Sequence, residues 1–133
     1  MNVHSFSIGV KMSQQKPELI MAHAEQLFID HGFHGTSMQM IAKAAGIAAG
    51  TVYLHFPSKE VLIRRIYRRA VTDMLGSLLK VYDPTLWPFE QYKYFWLNAY
   101  HELKEKQSLV HFKDLYERSP FYNEDDRAWA DEQ

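Results

Sequence analysis

The sequence predicts an all-α protein, and three observations support this fold class. Apolar residues recur three or four positions apart along most of the chain, which is the spacing of one helix face. Glycines, prolines and capping side chains divide these stretches into segments of helix length. No bounded run alternates polar and apolar residues as a half-buried strand would. With 133 residues and 47% apolar side chains, the chain can bury a core.

The first predicted helix follows a stretch without pattern. Residues 1–15 show no periodicity, and we expect them to form a disordered leader. The helix is predicted to begin at Pro17, because the fixed φ and missing N–H of proline suit the first helical position. It is predicted to end at Gly32, which can take the left-handed conformation of a C-cap. Its apolar face comprises Ile20, Ala24, Leu27 and Phe28.

Two short helices come next. The second helix is predicted to begin with a capping box, in which Thr36 accepts from a backbone N–H and Gln39 reaches back. Gly46 ends it. The third helix is predicted over Ala49–Phe56, because the residue before Pro57 is pushed out of the α region. The inner stripe of the second helix is Met38, Ile41, Ala42 and Ala45.

Four further helices complete the chain, each beginning near a capping side chain or a proline. They are predicted over residues 58–80, 88–106 and 109–117 and from residue 123 onward. The chain stops soon after the last of these begins.

Composition excludes several classes of protein. The absence of cysteine removes disulfides, thiol catalysis and cysteine-ligated metal sites. No apolar run approaches the ~20 residues of a membrane-spanning helix, and the start lacks a signal-peptide pattern. The net charge of −1 argues against a nucleic-acid partner, but residues 1–69 carry +4 and residues 70–133 carry −5. A nucleic-acid partner therefore stays open for the basic front half.

The second and third helices have the spacing of a helix-turn-helix. Gly46 supplies a tight turn, and Ile47 supplies an apolar residue that pins the two helices together. At about 100° per residue, Val52 and Phe56 share the inner face of the third helix, and Leu54 lies on the opposite face. A leucine on that outer face indicates a surface that a partner covers.

These segments resemble the DNA-binding domain of the tetracycline-repressor-like (TetR) family of bacterial regulators. The resemblance covers residues 17–63 without a gap and depends on short motifs in a fixed order. They are AEQLF at 24–28, GF at 32–33, TS at 36–37, IA at 41–42, AGI at 45–47, GTVY at 50–53, HF at 55–56 and SKE at 58–60. Residues 64–133 carry no matching motif, although their helical character is compatible with the variable effector domain of that family.

The resemblance implies a domain organisation and a function. It divides the chain into the leader (1–15), a DNA-binding domain (16–63, helix-turn-helix at 37–56) and a partial effector-binding and dimerisation domain (64–133). It implies a cytoplasmic, nucleoid-associated repressor, not an enzyme, that binds a palindromic operator in double-stranded DNA as a homodimer. A small hydrophobic or aromatic effector would release it. A helical module that binds protein instead of DNA is the alternative.

The resemblance also implies individual DNA contacts. The hydroxyls of Thr36 and Ser37 would contact the DNA backbone, Gln39 would reach a base, and His55 and Lys59 would hold phosphates. Gly50 would let the third helix approach the DNA closely. The full expected set is Thr36, Ser37, Gln39, Ala49, Gly50, Thr51, Tyr53, Leu54, His55 and Lys59.

The third helix departs from the family pattern in two ways. Position 48, which often carries a capping Ser or Thr, is alanine, so a cap worth about 1 kcal/mol is missing. Residues 49–56 include no Arg, Asn, Gln or Lys, so strong bidentate base readers are absent. Sequence discrimination would then depend on Gln39, on apolar contacts from Ala49 and Leu54 to thymine methyl groups, and on DNA shape.

The back half is rich in aromatic residues, and two interpretations stay open for them. One is that Phe89, Tyr92 and Trp96, spaced for one helix face, belong to the core. The other is a pocket for a flat or cationic apolar effector. The expected pocket residues are Trp87, Phe89, Tyr92, Phe95, Trp96, Tyr100, His101 and His111. No metal or cofactor is expected, because no catalytic, nucleotide-binding or metal-ligand motif is present.

Gln39→Ala should relax base preference at one position in each half-site by about 1–3 kcal/mol, because the Gln39 amide would be the polar base reader. Selection of binding sites from random duplexes with both proteins measures this. Identical preference profiles for the two proteins would contradict the assignment.

Overall fold

Seven α-helices make up the secondary structure of residues 3–133, the part of the backbone that this computed structural model describes; side chains are described from residue 16 onward. Within residues 3–133 there is no strand, so the all-α prediction is confirmed. In the same part of the chain, no helix is long and apolar enough to cross a membrane. The helices are α1 (Val3–His31), α2 (Met38–Ala45), α3 (Ala49–His55), α4 (Lys59–Leu79), α5 (Pro88–Glu105), α6 (Gln107–Glu117) and α7 (Glu124–Asp131).

Helix α1 begins earlier than the sequence predicts. Residues 3–15, which were expected to be a disordered leader, are helical, and Pro17 lies inside the helix rather than at its first position. Proline removes one N–H donor but keeps φ at a helical value, so a helix can continue through it at an energetic cost. The predicted end is confirmed, because Gly32 has φ 77° and donates its N–H to Phe28 O at 2.8 Å.

The chain divides into two compact units, residues 1–64 and residues 65–133, and α4 runs through the boundary. In the first unit, the predicted inner faces of the first three helices supply most of the core. The rings of Phe28 and Phe33 meet there with centroids 5.2 Å apart. The buried apolar residues of this unit are Ile20, Met21, Ala24, Phe28, Phe33, Met38, Ile41, Ala42, Val52, Phe56, Leu62 and Ile63.

The second unit is built around a buried tyrosine pair. The rings of Tyr67 and Tyr116 lie 4.7 Å apart, and the Tyr116 hydroxyl donates to Oδ2 of the buried Asp126 at 2.6 Å. Burial raises the pKa of Tyr67, whose hydroxyl donates to Glu117 Oε1 at 3.0 Å. The predicted cap of α7 is confirmed, because Asn123 Oδ1 accepts from the Asp126 N–H at 3.0 Å. These contacts join α4, α6 and α7.

Helix α5 differs from its neighbours in the second unit. Its predicted start at Pro88 is confirmed, but among residues 88–105, all described by the structure, no side chain is buried. Two polar contacts link this region to α4. Asn98 Nδ2 donates to Ser77 O at 2.9 Å, and Lys106 Nζ donates to Ser77 Oγ at 2.7 Å. These two hydrogen bonds connect α5 and its C-terminal end to Ser77 of α4.

Gly35→Ala should lower the free energy of unfolding by about 1–3 kcal/mol, because an added β-carbon would collide with the backbone carbonyl oxygen of His31. Chemical denaturation measures the loss. Gly50→Ala is the control, since a β-carbon at Gly50 meets no atom within 4 Å. The control should be as stable as the unchanged protein or slightly more stable. Unchanged stability of Gly35→Ala would show that residues 32–37, which form the corner between α1 and α2, can shift freely.

Candidate nucleic-acid interface

The outer face of α3 is exposed as the helical spacing predicts. Leu54 is 83% exposed and Tyr53 is 49% exposed, and Gly50 also lies at the surface. On the opposite face, Val52 and Phe56 are buried, with exposures of 0% and 3%. Together with Tyr53 and Gly50, this leucine forms an exposed face that another molecule can cover. This face is therefore the first candidate for a binding surface.

The turn between α2 and α3 has the expected geometry. Gly46 adopts φ 67°, and its N–H bonds back to Lys43 O at 3.2 Å. The next N–H, of Ile47, bonds to Ala42 O at 3.0 Å, which closes the end of α2. Ala48 has an extended backbone and no side-chain cap, as predicted. The tight turn places two short helices in a helix-turn-helix arrangement.

Helix α2 begins one residue later than the predicted capping box requires. Ser37, not Thr36, is the N-cap, and its Oγ accepts from the Met40 N–H at 3.1 Å. Gln39 consequently sits one position before the place from which a side chain can reach back to the cap. The predicted Thr36–Gln39 capping box is therefore wrong. Gln39 and Ser37 are both exposed, as their expected contacts with DNA require.

Thr36 is the expected DNA contact that the structure contradicts. Its side chain is 1% exposed, and its hydroxyl faces inward. Oγ1 lies 3.1 Å from Leu27 O and 2.9 Å from Gly32 O, so the hydroxyl binds carbonyls at the end of α1. Carbonyls at a helix C-terminus lack partners along the helix, and a buried hydroxyl needs an acceptor. Thr36 therefore stabilises the corner and is not available to a phosphate.

Lys59 is also engaged inside the protein. Its Nζ donates to Phe33 O at 2.7 Å and to Thr36 O at 3.1 Å, and the side chain is partly buried. The predicted cap of α4 is present beside it, because Ser58 Oγ accepts from the Val61 N–H at 3.2 Å. The first residue of α4 thus contacts the segment that connects α1 with α2.

The remaining residues that were expected to contact DNA differ in their exposure. Ala49, Thr51 and His55 are partly exposed at the two ends of α3. Lys43, which was not in the predicted set, is exposed one helical turn after Gln39. Spacing by four residues on one helix was the signal that could have identified it. Gln39 and Lys43 place a polar amide and a cation on the same side of α2.

Residues of the second unit line two apolar grooves. The first is lined by Met74, Leu78, Ala99, Glu102, Leu103 and Val110. The second is lined by Leu78, Leu79, Val81, Tyr82, Gln91, Tyr92 and Phe95. One charged pair lies at the first groove, where Glu102 Oε2 is 2.8 Å from Lys106 Nζ. The hydrogen bond from Lys106 lowers the pKa of Glu102, so this carboxylate stays ionised at neutral pH.

The aromatic residues of α5 are neither core nor a single pocket. One of the two interpretations assigns Phe89, Tyr92 and Trp96 to the core. These side chains are 76%, 62% and 56% exposed. Within the described residues, these three side chains are therefore not part of the core. Of the expected pocket residues, Tyr92 and Phe95 line a groove. The others lie outside both grooves; they are Trp87, Phe89, Trp96, Tyr100, His101 and His111.

A family model for bacterial regulatory proteins of the TetR family matches residues 20–66. The chain carries a TetR-family DNA-binding domain. The match contains all of α2 and α3, together with the end of α1 and the first part of α4. The resemblance that the sequence motifs indicated is thereby confirmed. The exposed face of α3 lies within the matched region.

Known proteins support the same family. An uncharacterised HTH-type transcriptional regulator of Haemophilus influenzae is 32% identical over 116 residues, which are 85% of this chain and 62% of that protein. The HTH-type transcriptional repressor KstR2 of Mycolicibacterium smegmatis is 26% identical over 98 residues, 74% of this chain and 47% of that protein. A crystal structure of a TetR-family transcription regulator from Shewanella sp. PV-4 has a TM-score of 0.77 at 30% identity, covering 86% of this chain and 61% of that one.

The chain thus spans less than two thirds of the length of these relatives. The names of these relatives describe transcriptional regulators. Among the described side chains, no group of three or more His, Cys, Asp or Glu residues is arranged to hold a metal ion.

Thr36→Val should lower the free energy of unfolding by about 1–3 kcal/mol, because two carbonyls lose the hydroxyl that they share. It should leave the salt dependence of DNA binding unchanged. Chemical denaturation and DNA titrations at several salt concentrations measure the two effects. Thr51→Val, on the partly exposed side of α3, is the matched control and should change stability by less than about 0.5 kcal/mol. Full stability of Thr36→Val would contradict the buried role.

Proposed function

We propose that this protein is a transcriptional regulator that reads a specific duplex site through the exposed faces of α2 and α3. The observation that carries the proposal is the outer face of α3, where Leu54 is 83% exposed within a TetR-type helix-turn-helix. A major groove is wide enough to admit one helix, and its thymine methyl groups are apolar. DNA is therefore a partner that can cover this leucine without burying a charge.

The chemistry of the two helices divides the proposed recognition between them. Helix α3 offers small and apolar groups, Ala49, Gly50 and Leu54, which suit close approach and contacts with thymine methyl groups. Helix α2 offers the exposed Gln39, whose amide can bind a base edge through two hydrogen bonds. Ser37 lies at the start of α2, next to the DNA backbone in this arrangement. Positions without strong base readers would be discriminated by DNA shape.

The proposed surface carries fewer available cations than the charge of residues 1–69 implies. Arg68 belongs to the second unit, where its guanidinium lies 5.1 Å from the Trp129 ring centre and 3.7 Å from Asp126 Oδ1. Lys59 Nζ is occupied by two carbonyls. Each phosphate that a cation neutralises contributes about 0.9 to the slope of log affinity against log salt. We therefore expect a shallow salt dependence.

The proposal extends to a ligand-responsive repressor that acts as a homodimer. A dimer would place two α3 helices in successive major grooves of a palindromic operator, about 34 Å apart. A relative that covers 74% of this chain is named a transcriptional repressor, which supports the direction of regulation. The second groove, with a volume of about 340 Å³ and with Tyr92 and Phe95 in its lining, would receive a small hydrophobic or aromatic effector. Binding there would shift the population between two dimer states.

Leu54→Asp should abolish binding to a selected duplex, because it places a carboxylate against the DNA. It should not unfold the protein, because the Leu54 side chain is 83% exposed. The duplex is first selected from a random pool with the unchanged protein, and affinities are then measured by fluorescence anisotropy. Leu97→Asp is the matched control, since Leu97 is 48% exposed in the second unit and lines neither groove. It should bind as the unchanged protein does. If no duplex is selected, or if Leu54→Asp binds normally, the proposed function is wrong.

A further inference from the structure

Lys59 connects two parts of the first unit that are distant in sequence. Its Nζ lies 2.7 Å from Phe33 O and 3.1 Å from Thr36 O, which are 26 and 23 residues earlier in the chain. Both carbonyls belong to residues 32–37, the α1–α2 corner, which ends at the Ser37 cap of α2. An ammonium group has three donors and no acceptor, so at least two of its donors are committed to this corner.

We propose that Lys59 is a positioning residue that fixes the start of α2 for base reading, and that it does not act as a phosphate ligand. The inference rests on the proposed DNA-binding function and names one determinant of its specificity. Lys59 would act through Ser37 and Gln39, which follow the second carbonyl by one and three residues. It would itself make no direct contribution to the attraction between protein and DNA.

The energetics favour this assignment. Hydrogen bonds from a charged donor are roughly twice as strong as neutral ones, and a partly buried ammonium gains more from carbonyl oxygens than from water. The Thr36 hydroxyl binds the same corner from the side of α1, through Leu27 O and Gly32 O. The carbonyl of Thr36 faces Lys59 while its side chain faces α1. The residue before the cap is therefore held from both directions.

Base recognition requires a more accurate position of α2 than a contact with a phosphate would require. Base readout through Gln39 requires two hydrogen bonds of correct length and angle, whereas a phosphate tolerates many approaches. A shift of the corner moves Gln39 together with the whole short helix. Loss of Lys59 should therefore reduce discrimination between duplexes, and it should leave the general affinity for DNA almost unaffected.

The test uses Lys59→Met, which keeps the length of the side chain and removes its donors and charge. Lys93→Met is the matched control, because Lys93 is an exposed lysine of α5 that lies outside the proposed DNA-binding surface. Affinities for the selected duplex and for a scrambled duplex are measured over a range of salt concentrations, at a temperature where circular dichroism shows each variant to be folded. We expect Lys59→Met to lower the ratio of the two affinities by roughly tenfold with an unchanged salt slope. Lys93→Met should keep the ratio of the unchanged protein.

If Lys59 binds a phosphate, Lys59→Met gives the opposite pattern. Both duplexes would weaken equally, and the salt slope would fall by about 0.9 for each phosphate that is no longer neutralised. That result would overturn the proposal. Where Lys59→Met is unfolded, Lys59→Arg decides, since it keeps the charge but has a planar donor group. Lys59→Arg should also lower the ratio of the affinities for the selected and the scrambled duplex. An unchanged ratio in Lys59→Arg would overturn the positioning role.

Failure of the proposed function is visible separately, because the unchanged protein would then select no duplex. In that case the positioning role is tested without DNA, by hydrogen exchange of the Met40 amide, which donates to Ser37 Oγ. Lys59→Met should speed this exchange by roughly tenfold, and Lys93→Met should not. Unchanged exchange in Lys59→Met would contradict a role for Lys59 in fixing the start of α2.

Discussion

The α1–α2 corner is held by hydrogen bonds to backbone carbonyls, and the placement of both short helices depends on it. The Thr36 hydroxyl binds Leu27 O and Gly32 O, and Lys59 Nζ binds Phe33 O and Thr36 O. Gly35 allows the chain to pass against the end of α1 with no room for a β-carbon. Carbonyls in a tight turn need donors, and here a buried hydroxyl and an ammonium supply them. The start of α2 follows directly from this arrangement.

The helix-turn-helix that the corner supports has an unusual balance of forces. Its outer face presents Leu54, Tyr53 and Gly50, while the cations of the surrounding sequence are partly engaged elsewhere. Specific recognition would then depend more on shape and apolar contact than on charge, and it requires accurate placement of α2 and α3. A surface with few cations has little non-specific affinity to compensate for a misplaced helix. In the proposed function, a rigid corner would therefore support the specificity of this surface.

The second unit combines a well-packed part with an exposed one. Tyr67, Tyr116 and Asp126 form a buried, hydrogen-bonded centre that joins α4, α6 and α7. Helix α5 has apolar and aromatic side chains on several faces, and none is buried within residues 88–105. Periodicity identified this segment as a helix but could not say what covers it. Burial depends on neighbours that are distant in sequence, and a helical pattern does not name them.

The sequence by itself determined the order of the helices, the turn between α2 and α3, and the family, but not the early start of α1. Left-handed glycines at 32 and 46, Pro88 and the Asn123 cap act locally, so they could be read from neighbouring residues. The fixed spacing of the motifs from 24 to 60 likewise identified the DNA-binding domain. Only the tertiary structure decided that Ser37 rather than Thr36 caps α2, and that Thr36 and Lys59 turn inward. A hydroxyl or an ammonium binds whichever acceptors the fold brings within reach, and those acceptors lie up to 26 residues away.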